Sequence, residues 1–497
     1  MTFAHVMAGM AAAAVFATPG AAAGAAAPAR VSGPSPYASC STPSVGDTLY
    51  RNAEVEPDLA ANPTRPGGLV AVWQQDRWSG GGAHGLVAGY SSDGGRSWGQ
   101  TTLPFSRCAP GGLDYNRASD PAVSFGPDGT AYAIALSFDQ STLRNAIASA
   151  VSTDGGRTWS TPQVITADTG NGLDKEWITA DPVRPGTAYA VWDNVRVGAD
   201  QHFRGPTYFA RTTDHGRSWS RPVTIAATGL DEQSLGNQVL VDRRTGRLYD
   251  TYSLYTCTCP HIPKIAFVTS DDGGLTWSRQ HVIGDLVSVG VRQAGTLAPV
   301  RSGGFPVAAI SRAGQVYLTW QDSRFSGGSY DEIAVVTTSD RGVHWSAPHR
   351  ANVPTGRAAF LPGIAVAPSG TAAVTYYDLR RDDVHTAFMS TDYWATTTAD
   401  GVHFAGDRHL AGSFDLAAAP NAGGRFVGDY EGLATVGDRF VAVFARTNCS
   451  AESCPDNRTD IYGAGFGAPS GLLAVDRTPG ASAFRTPTAR QHAHVVR

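Results

Sequence analysis

The feature that most constrains this chain is a short motif that recurs about every sixty residues. Copies resembling S/T-x-D-x-G-x-S/T-W are centred on Asp93, Asp154, Asp214, Asp272 and Asp340, and a degenerate copy, TTADGVHF, contains Asp400. Successive aspartates are 61, 60, 58, 68 and 60 residues apart, a steady interval that predicts a repeated supersecondary unit. Within each copy the Asp accepts backbone N–H groups, a Gly permits positive φ, and the Trp anchors the next strand. The motif therefore predicts a hairpin turn rather than a catalytic centre.

The sequence around each motif divides into four short apolar or alternating runs. In the second unit these are DPAVSF, AYAIALSFD, NAIASAVSTD and WSTPQVI, separated by turn signals such as GPDG. Four antiparallel strands per repeat are typical of a propeller blade. We therefore predict an all-β fold, a single β-propeller of four-stranded blades, with seven blades as the count and six as the alternative. The segment SVGDTLYRN, residues 44–52, is expected to supply the outer strand missing from the last unit and to close the ring.

The two ends of the chain carry different signals. Residues 1–30 contain an alanine-rich apolar core followed by small residues, which predicts a signal peptide and secretion, although no Lys or Arg precedes that core. We assign residues 31–470 to the propeller and 471–497 to a loosely ordered tail. No later stretch offers the ~18 apolar residues of a membrane span.

Six cysteines in an exported chain favour disulfides, and the most plausible pair is Cys449 with Cys454. No CxxC occurs, and the Cys257-Thr258-Cys259 spacing does not suit zinc. We expect no metal and no cofactor. The net charge of −4 provides no basic excess for nucleic acid, and we expect a monomer.

Charged residues collect at the starts of first strands and the ends of second strands. In an up-and-down blade these positions share one face of the disc, opposite the Asp motifs, so charges from several blades should converge on one axial mouth. Asp58, Asp120 and Asp181 recur in EPD, SDP and ADP, and such recurrence favours a structural role. Residues that break the repeat are better site candidates, namely Arg117, Glu176, Tyr430 and Glu431.

On these motifs the chain resembles the sialidase (neuraminidase) superfamily, also called the BNR or Asp-box family. The resemblance implies hydrolysis of a terminal sialic acid, with an Arg triad for the sugar carboxylate, an Asp acid/base, and a Tyr nucleophile activated by a Glu. The chain departs from the family where an Arg-Ile-Pro motif is expected, because Val55-Glu56-Pro57 stands there and places a carboxylate where an Arg would bind the substrate.

Carried over residue by residue, the resemblance implies an exo-acting glycoside hydrolase for sialic acid or a related acidic sugar. Tyr430 would be the nucleophile, Glu176 or Glu431 its base, and Asp120 a possible acid. The anion-binding residues would be Arg77, Arg117, Arg324 and Arg380.

Two alternatives stay open from the sequence: a non-catalytic propeller that binds carbohydrate or protein, and another polysaccharide-cleaving enzyme with Glu56 in its acid/base set. The sialidase interpretation requires at least three of the four arginines to point into one pocket with Tyr430.

Overall fold

The fold was analysed in a computed structural model that describes residues 27–198, 202–256, 262–293, 298–383, 385–449 and 459–467. Most of the predicted signal peptide and the predicted tail lie outside these ranges. So do Cys257, Cys259 and Cys454, and with them the predicted Cys449–Cys454 bridge. No described helix is long and apolar enough to cross a membrane.

The described strands pair antiparallel into successive sets of four, which we call units and number along the chain. Unit 1 contains β2 (Leu49–Ala61), β3 (Leu69–Trp78), β4 (Ala83–Ser91) and β5 (Gly99–Leu103). Unit 2 contains β6 (Arg117–Phe125), β7 (Ala131–Phe138), β8 (Asn145–Ser152) and β9 (Gln163–Asp168).

Units 3 and 4 follow the same plan. Unit 3 contains β10 (Gly172–Ala180), β11 (Ala188–Val197), β13 (Thr207–Thr212) and β14 (Val223–Ala226). Unit 4 contains β15 (Glu232–Val241), β16 (Leu248–Thr256), β17 (Lys264–Ser270) and β18 (His281–Asp285). The short β12 (Phe203–Gly205) bridges them, since it pairs with both β11 and β15.

Three further units complete the described strands. Unit 5 contains β21 (Val307–Ile310), β22 (Val316–Asp322), β23 (Glu332–Thr338) and β24 (His349–Arg350). Unit 6 contains β25 (Ala359–Val366), β26 (Ala372–Asp378), β27 (Ser390–Thr398) and β28 (Arg408–Asp415). Unit 7 contains β30 (Gly432–Val436), β31 (Arg439–Thr447), β32 (Thr459–Gly467) and, from the other end of the chain, β1 (Ala29–Arg30).

The first strands of the units form a closed ring. Each packs against the first strand of the next unit, from β2 through β6, β10, β15, β21, β25 and β30 and back to β2. Apolar residues at the unit interfaces build the core, and Trp73, Trp192 and Trp320 on second strands are fully buried there. The predicted all-β propeller is confirmed.

Ring closure differs from the prediction in the segment that performs it. Ala29 and Arg30 pair with β32, whereas Leu49 and Tyr50 of the predicted segment belong to β2 and pair with β3. The fold therefore begins before the predicted domain boundary at residue 30. A disulfide between Cys40 and Cys108 fastens the segment that follows β1 to the connection after β5.

The Asp motifs form the predicted turns. In the second copy, backbone N–H groups of Arg157 and Thr158 donate to Asp154 Oδ1 at 3.0 Å, and the Thr158 hydroxyl donates to Oδ2. Partial burial opposes ionisation, but these hydrogen bonds outweigh it and lower the pKa of Asp154 to about 2. In unit 1 the motif also touches the first turn, through Gly94 N and Gly67 O at 2.9 Å, so these two turns share one face.

A small sheet and two short helices lie outside the units. A three-stranded sheet of β19 (Val291–Arg292), β20 (Pro299–Arg301) and β29 (Arg425–Phe426) joins the connection before unit 5 to the connection before unit 7. Short 3-10 helices occupy Arg324–Ser326 and Leu416–Ala418.

Candidate active site

The inner strands of units 1, 2 and 3 are irregular at corresponding points. Their pairing register shifts between Val55 and Asp58, between Ser119 and Ala122, and between Asp174 and Trp177. The bulged residues have positive φ, and they are Glu56 (53°), Asp120 (51°) and Lys175 (48°). A bulge re-aims a side chain that regular pleating would send elsewhere. The three bulges therefore bring one ionisable side chain from each unit to a common place at the axis.

These side chains form a buried ionic cluster. Lys175 Nζ lies 2.7 Å from Asp429 Oδ2 and 3.5 Å from Glu56 Oε1, and it also contacts Asp120. Carboxylate oxygens of Glu56, Asp120 and Asp429 lie within 4.8 Å of one another. Only 9% of the Lys175 side chain is exposed. One ammonium group thus joins carboxylates from units 1 and 2 and from the connection before unit 7.

Two arginines extend the cluster toward the three-stranded sheet. Arg301 Nη2 lies 2.8 Å from Asp429 Oδ2, and the guanidinium groups of both Arg301 and Arg77 stack on Phe426, at 4.5 and 4.9 Å from the ring centre. Arg301 is 37% exposed, whereas Arg77 is 2% exposed. Arg301 is therefore the cation of this group that a ligand reaches most readily.

Burial and charge separate the protonation states of the cluster. Burial raises the pKa of Glu56 to about 8, although the charge of Lys175 opposes this. Burial also acts on Asp429, but the charges of Lys175 and Arg301 outweigh it and hold the pKa of Asp429 well below its usual range. For Lys175, burial favours the neutral amine, yet Asp120 and Asp429 keep its pKa well above the usual value. The same small volume thus contains one carboxyl group, Asp429, whose surroundings favour the ionised form, and another, Glu56, whose burial favours the protonated form.

Glu176, next to Lys175 on β10, is the most unusual acid in this region. It is 3% exposed, and neither of its carboxyl oxygens hydrogen-bonds to another described residue. Burial, followed by the charge of Asp120, raises the pKa of Glu176 well above its usual range. Its environment therefore favours the neutral carboxylic acid, the state that a general acid requires.

Glu176 lines a cleft at the axis. Aromatic side chains form part of the wall, and Trp177 and Tyr430 meet edge to face at 5.9 Å. The lining residues are Asp120, Lys175, Glu176, Trp177, Gly236, Asn237, Gln238, Phe305, Pro306, Val307, Asp429 and Tyr430. Aromatic and apolar side chains thus share this wall with charged and amide groups, a combination that suits a ligand site.

The structure brings three of the four predicted catalytic residues together. Asp120, Glu176 and Tyr430 line the cleft, but Glu431 faces away from it: its carboxyl accepts hydrogen bonds from the Tyr377 hydroxyl at 2.6 Å and from Ala445 N. Glu431 is therefore misplaced for the predicted role of base to Tyr430.

The surroundings of Tyr430 differ from those of an activated nucleophile. Its hydroxyl donates to the backbone oxygen of Pro121 at 3.0 Å instead of to a carboxylate. Burial and the charge of Glu56 raise its pKa well above the usual value. Both effects disfavour the tyrosinate.

The predicted anion-binding arginines do not converge with Tyr430, and none of them lines the cleft. Arg77 Nη1 donates to Gln74 Oε1 and to the Gly82 carbonyl, although the side chain lies beside the cluster. Arg117 is fully buried against Asp47, at 2.7 Å, and against Trp78.

The other two arginines are held by acids two residues earlier. Arg324 forms hydrogen bonds to both carboxyl oxygens of Asp322 at 2.8 Å. Arg380 contacts Asp378 and lies 2.6 Å from Asp407. The expected arginine triad around Tyr430 is therefore not formed.

Sequence reasoning missed Lys175, Arg301 and Asp429 as site residues, although DKEW and FVGDYEG contain two of them. It also placed Asp58, Asp120 and Asp181 at equivalent positions. The structure separates them. The Asp58 carboxylate accepts a hydrogen bond from Val123 N, and the Asp181 carboxylate accepts hydrogen bonds from backbone N–H groups of its own turn. The position of Asp120 corresponds to those of Glu56 and Lys175.

Comparison with known proteins agrees with the repeat. The family model described as BNR/Asp-box repeat matches residues 150–161. No curated protein matches the chain.

Several solved structures are similar to the chain at low identity. Penicillium chrysogenum α-L-arabinanase complexed with arabinobiose is 12% identical over 89% of this chain and 98% of that one, with a TM-score of 0.47. A Hadza microbial sialidase is 18% identical over 66% and 64%, with a TM-score of 0.43. A polysaccharide lyase, an ulvan lyase, is 13% identical over 84% and 95%, with a TM-score of 0.48. The Asp-box repeat and the closed ring of strands show that this chain has an Asp-box β-propeller fold.

Proposed function

We propose that this chain is a secreted, carbohydrate-cleaving enzyme of the glycoside hydrolase type, with Glu176 as its general acid and an acidic sugar as its substrate. The proposal rests on Glu176, which lies in the wall of the axial cleft. Its carboxyl group is buried, has a raised pKa and has no hydrogen-bond partner on another described residue. Cleavage of a glycosidic bond requires a proton for the departing oxygen. A neutral carboxyl group in a cleft supplies that proton.

Asp120 is the second carboxyl group of the proposed reaction. It lines the same cleft and is salt-bridged to Lys175. In glycoside hydrolysis a second carboxylate activates water or stabilises the positively charged sugar in the transition state. The proposal thus retains Asp120 and Glu176 from the sequence prediction, makes Glu176 the acid, and leaves Tyr430 as a wall residue.

An acidic substrate is proposed because of Arg301. Its guanidinium is partly exposed, is paired with Asp429 of the cleft wall, and stacks on Phe426. A guanidinium group carries five N–H donors, and a carboxylate is the ligand that suits them best. Arg301 takes over the role that the sequence assigned to Arg77, Arg117, Arg324 and Arg380.

Secretion is proposed on two grounds. The alanine-rich N-terminus predicts export, and the Cys40–Cys108 disulfide is typical of an oxidising compartment. The natural substrate would then be an extracellular glycan.

The test compares wild type with Glu176→Gln on 4-methylumbelliferyl conjugates of sialic acid and glucuronic acid, with uncharged glycosides for comparison. We expect turnover of an acidic conjugate, and a loss of about 10²–10⁴-fold in Glu176→Gln. Asp250→Asn is the matched control, because Asp250 is also a fully buried acid without hydrogen-bond partners among the described residues, but it does not line the cleft. Equal activity of wild type and Glu176→Gln would refute the role of Glu176. No turnover of any conjugate would favour the binding-propeller alternative.

A further inference from the structure

One bulge position in three successive units carries Glu56, Asp120 and then Lys175. The position that holds an acid in two units therefore holds a base in the third. Its ammonium group contacts both of those acids and also Asp429. The charge at this repeated position is therefore reversed in unit 3.

Three carboxyl groups with oxygens within 4.8 Å of one another cannot all stay ionised without a compensating charge. Proteins meet such crowding by protonation, by a bound cation or by a basic side chain. Oxygen ligands from carboxylates at this separation are the kind that Ca²⁺ accepts. Lys175 Nζ lies among them, 9% exposed, and so leaves no room for an ion.

We propose that Lys175 is a positioning residue whose ammonium group is a built-in counter-ion for Asp120 and Asp429, standing in place of a divalent cation and orienting both carboxyl groups at the cleft. Its catalytic consequence rests on the proposed function, whereas its electrostatic role does not. The low pKa of Asp429 agrees with this role, since Lys175 is the strongest charge acting on it.

Other charged groups also surround the Lys175 ammonium group and contribute to the charge balance of the cluster. Asp174 and Glu176 lie on its own strand, and the remaining groups come from neighbouring units and connections. The titratable and charged groups around Lys175 are Glu56, Arg77, Asp120, Asp174, Glu176, Arg301, Asp429 and Tyr430.

The first test uses Lys175→Met, which keeps much of the side-chain volume and removes the charge. Calcium binding is measured with CaCl₂ alone by isothermal titration calorimetry, with no sugar present. We expect Lys175→Met to bind one Ca²⁺ per chain at a site that wild type lacks, and Lys175→Met/Asp120→Asn to lose that binding. A folded Lys175→Met protein that binds Ca²⁺ no better than wild type would overturn the proposal.

A variant that does not fold also gives an answer. If the charge is what matters, Lys175→Met/Asp120→Asn restores part of the balance and should fold where Lys175→Met alone does not. Failure of both proteins to fold would contradict the proposal, because removing one carboxylate together with the ammonium group would then not restore the balance. Failure of Lys175→Arg as well would show that shape rather than charge is decisive and would overturn the proposal.

The second test is the pH–activity profile on the acidic conjugate that wild type cleaves. Removing the positive charge raises the pKa of neighbouring carboxyl groups, so the acidic limb should move to higher pH by roughly 1–3 units in Lys175→Met. Lys175→Arg should keep the limb near its wild-type position, and added Ca²⁺ should move the limb of Lys175→Met back. An unshifted limb would contradict the counter-ion role. If wild type cleaves no conjugate, the proposed function fails, and the calcium titration still decides the role of Lys175.

Discussion

The Cys40–Cys108 disulfide offers a quantitative test of how the N-terminal segment is held to the ring. The bridge spans 68 residues of sequence. In the chain-entropy description a loop of this length restricts the unfolded chain by about 4 kcal/mol. Replacing both cysteines, in Cys40→Ser/Cys108→Ser, should therefore lower the free energy of unfolding by about that amount.

Noncovalent contacts should keep the segment in place in that variant. Tyr37 is 1% exposed, its hydroxyl donates to the Leu86 carbonyl at 2.5 Å, and Ser35 donates to Asp76 at 2.7 Å. We therefore expect a native far-ultraviolet circular dichroism spectrum together with an earlier urea transition. Replacing both residues is preferable to adding a reductant, because Cys449 is also disulfide-bonded.

The measurement is equilibrium urea unfolding of the two proteins, followed by tryptophan fluorescence. A loss of less than about 1 kcal/mol in the free energy of unfolding would refute the reasoning, since it would mean that the disulfide restricts the unfolded chain little. A far-ultraviolet circular dichroism spectrum of Cys40→Ser/Cys108→Ser without strand signal would also refute the reasoning, because it would show that the contacts of Tyr37 cannot hold the segment in place without the bridge.

Two further predictions concern the wall of the cleft and the Asp-box turns. Tyr430→Phe removes one hydrogen bond to Pro121, so it should lower the free energy of unfolding by about 1 kcal/mol. It should lower kcat less than about tenfold, whereas loss of a nucleophile would lower kcat roughly 10⁴-fold or more. Steady-state kinetics on the cleaved conjugate decide between these two outcomes. Asp154 has a lowered pKa of about 2, so its contribution to stability is present above the unfolded pKa and is lost as pH falls toward 2. Because the side chain is largely solvated, this contribution should be about 1 kcal/mol or less. Urea midpoints between pH 5 and pH 2 should fall more for wild type than for Asp154→Asn, and parallel curves would contradict this.

The fold could be predicted because its signal is local and repeated. Each Asp-box turn is built from residues within one hairpin, as in the bonds from Arg157 and Thr158 to Asp154, so a single sequence contains the whole pattern. Ring closure was assigned to the wrong segment, because a strand of two residues, Ala29–Arg30, has no periodicity to detect.

The site could be predicted only as a region. The sequence predicted that charged residues collect at an axial mouth, but a bulge adds one residue to a strand and changes which side chain faces the axis. Glu56 and Asp120 share an acid–Pro context, VEP and SDP, but Lys175 stands in DKE, so no sequence pattern places all three at one structural position.

The arginines show the second limit of sequence reasoning. Arg324 and Arg380 stand at strand ends as predicted, but nearby carboxylates, Asp322 and Asp378, already bind them. A single sequence does not show which of two possible partners a long side chain will take. Arg301, in contrast, comes from a connection between units that no repeat pattern describes.

The central claim is that Glu176 carries a proton at neutral pH, and infrared difference spectroscopy tests this without any knowledge of the substrate. The spectrum of wild type minus that of Glu176→Gln isolates the C=O stretching band of a protonated carboxyl group from the bands of other buried acids. We predict that this band is present at pH 7 and persists well above the usual pKa of a glutamic acid. A difference spectrum that shows only carboxylate bands at pH 7 would contradict the assignment of Glu176 as the general acid.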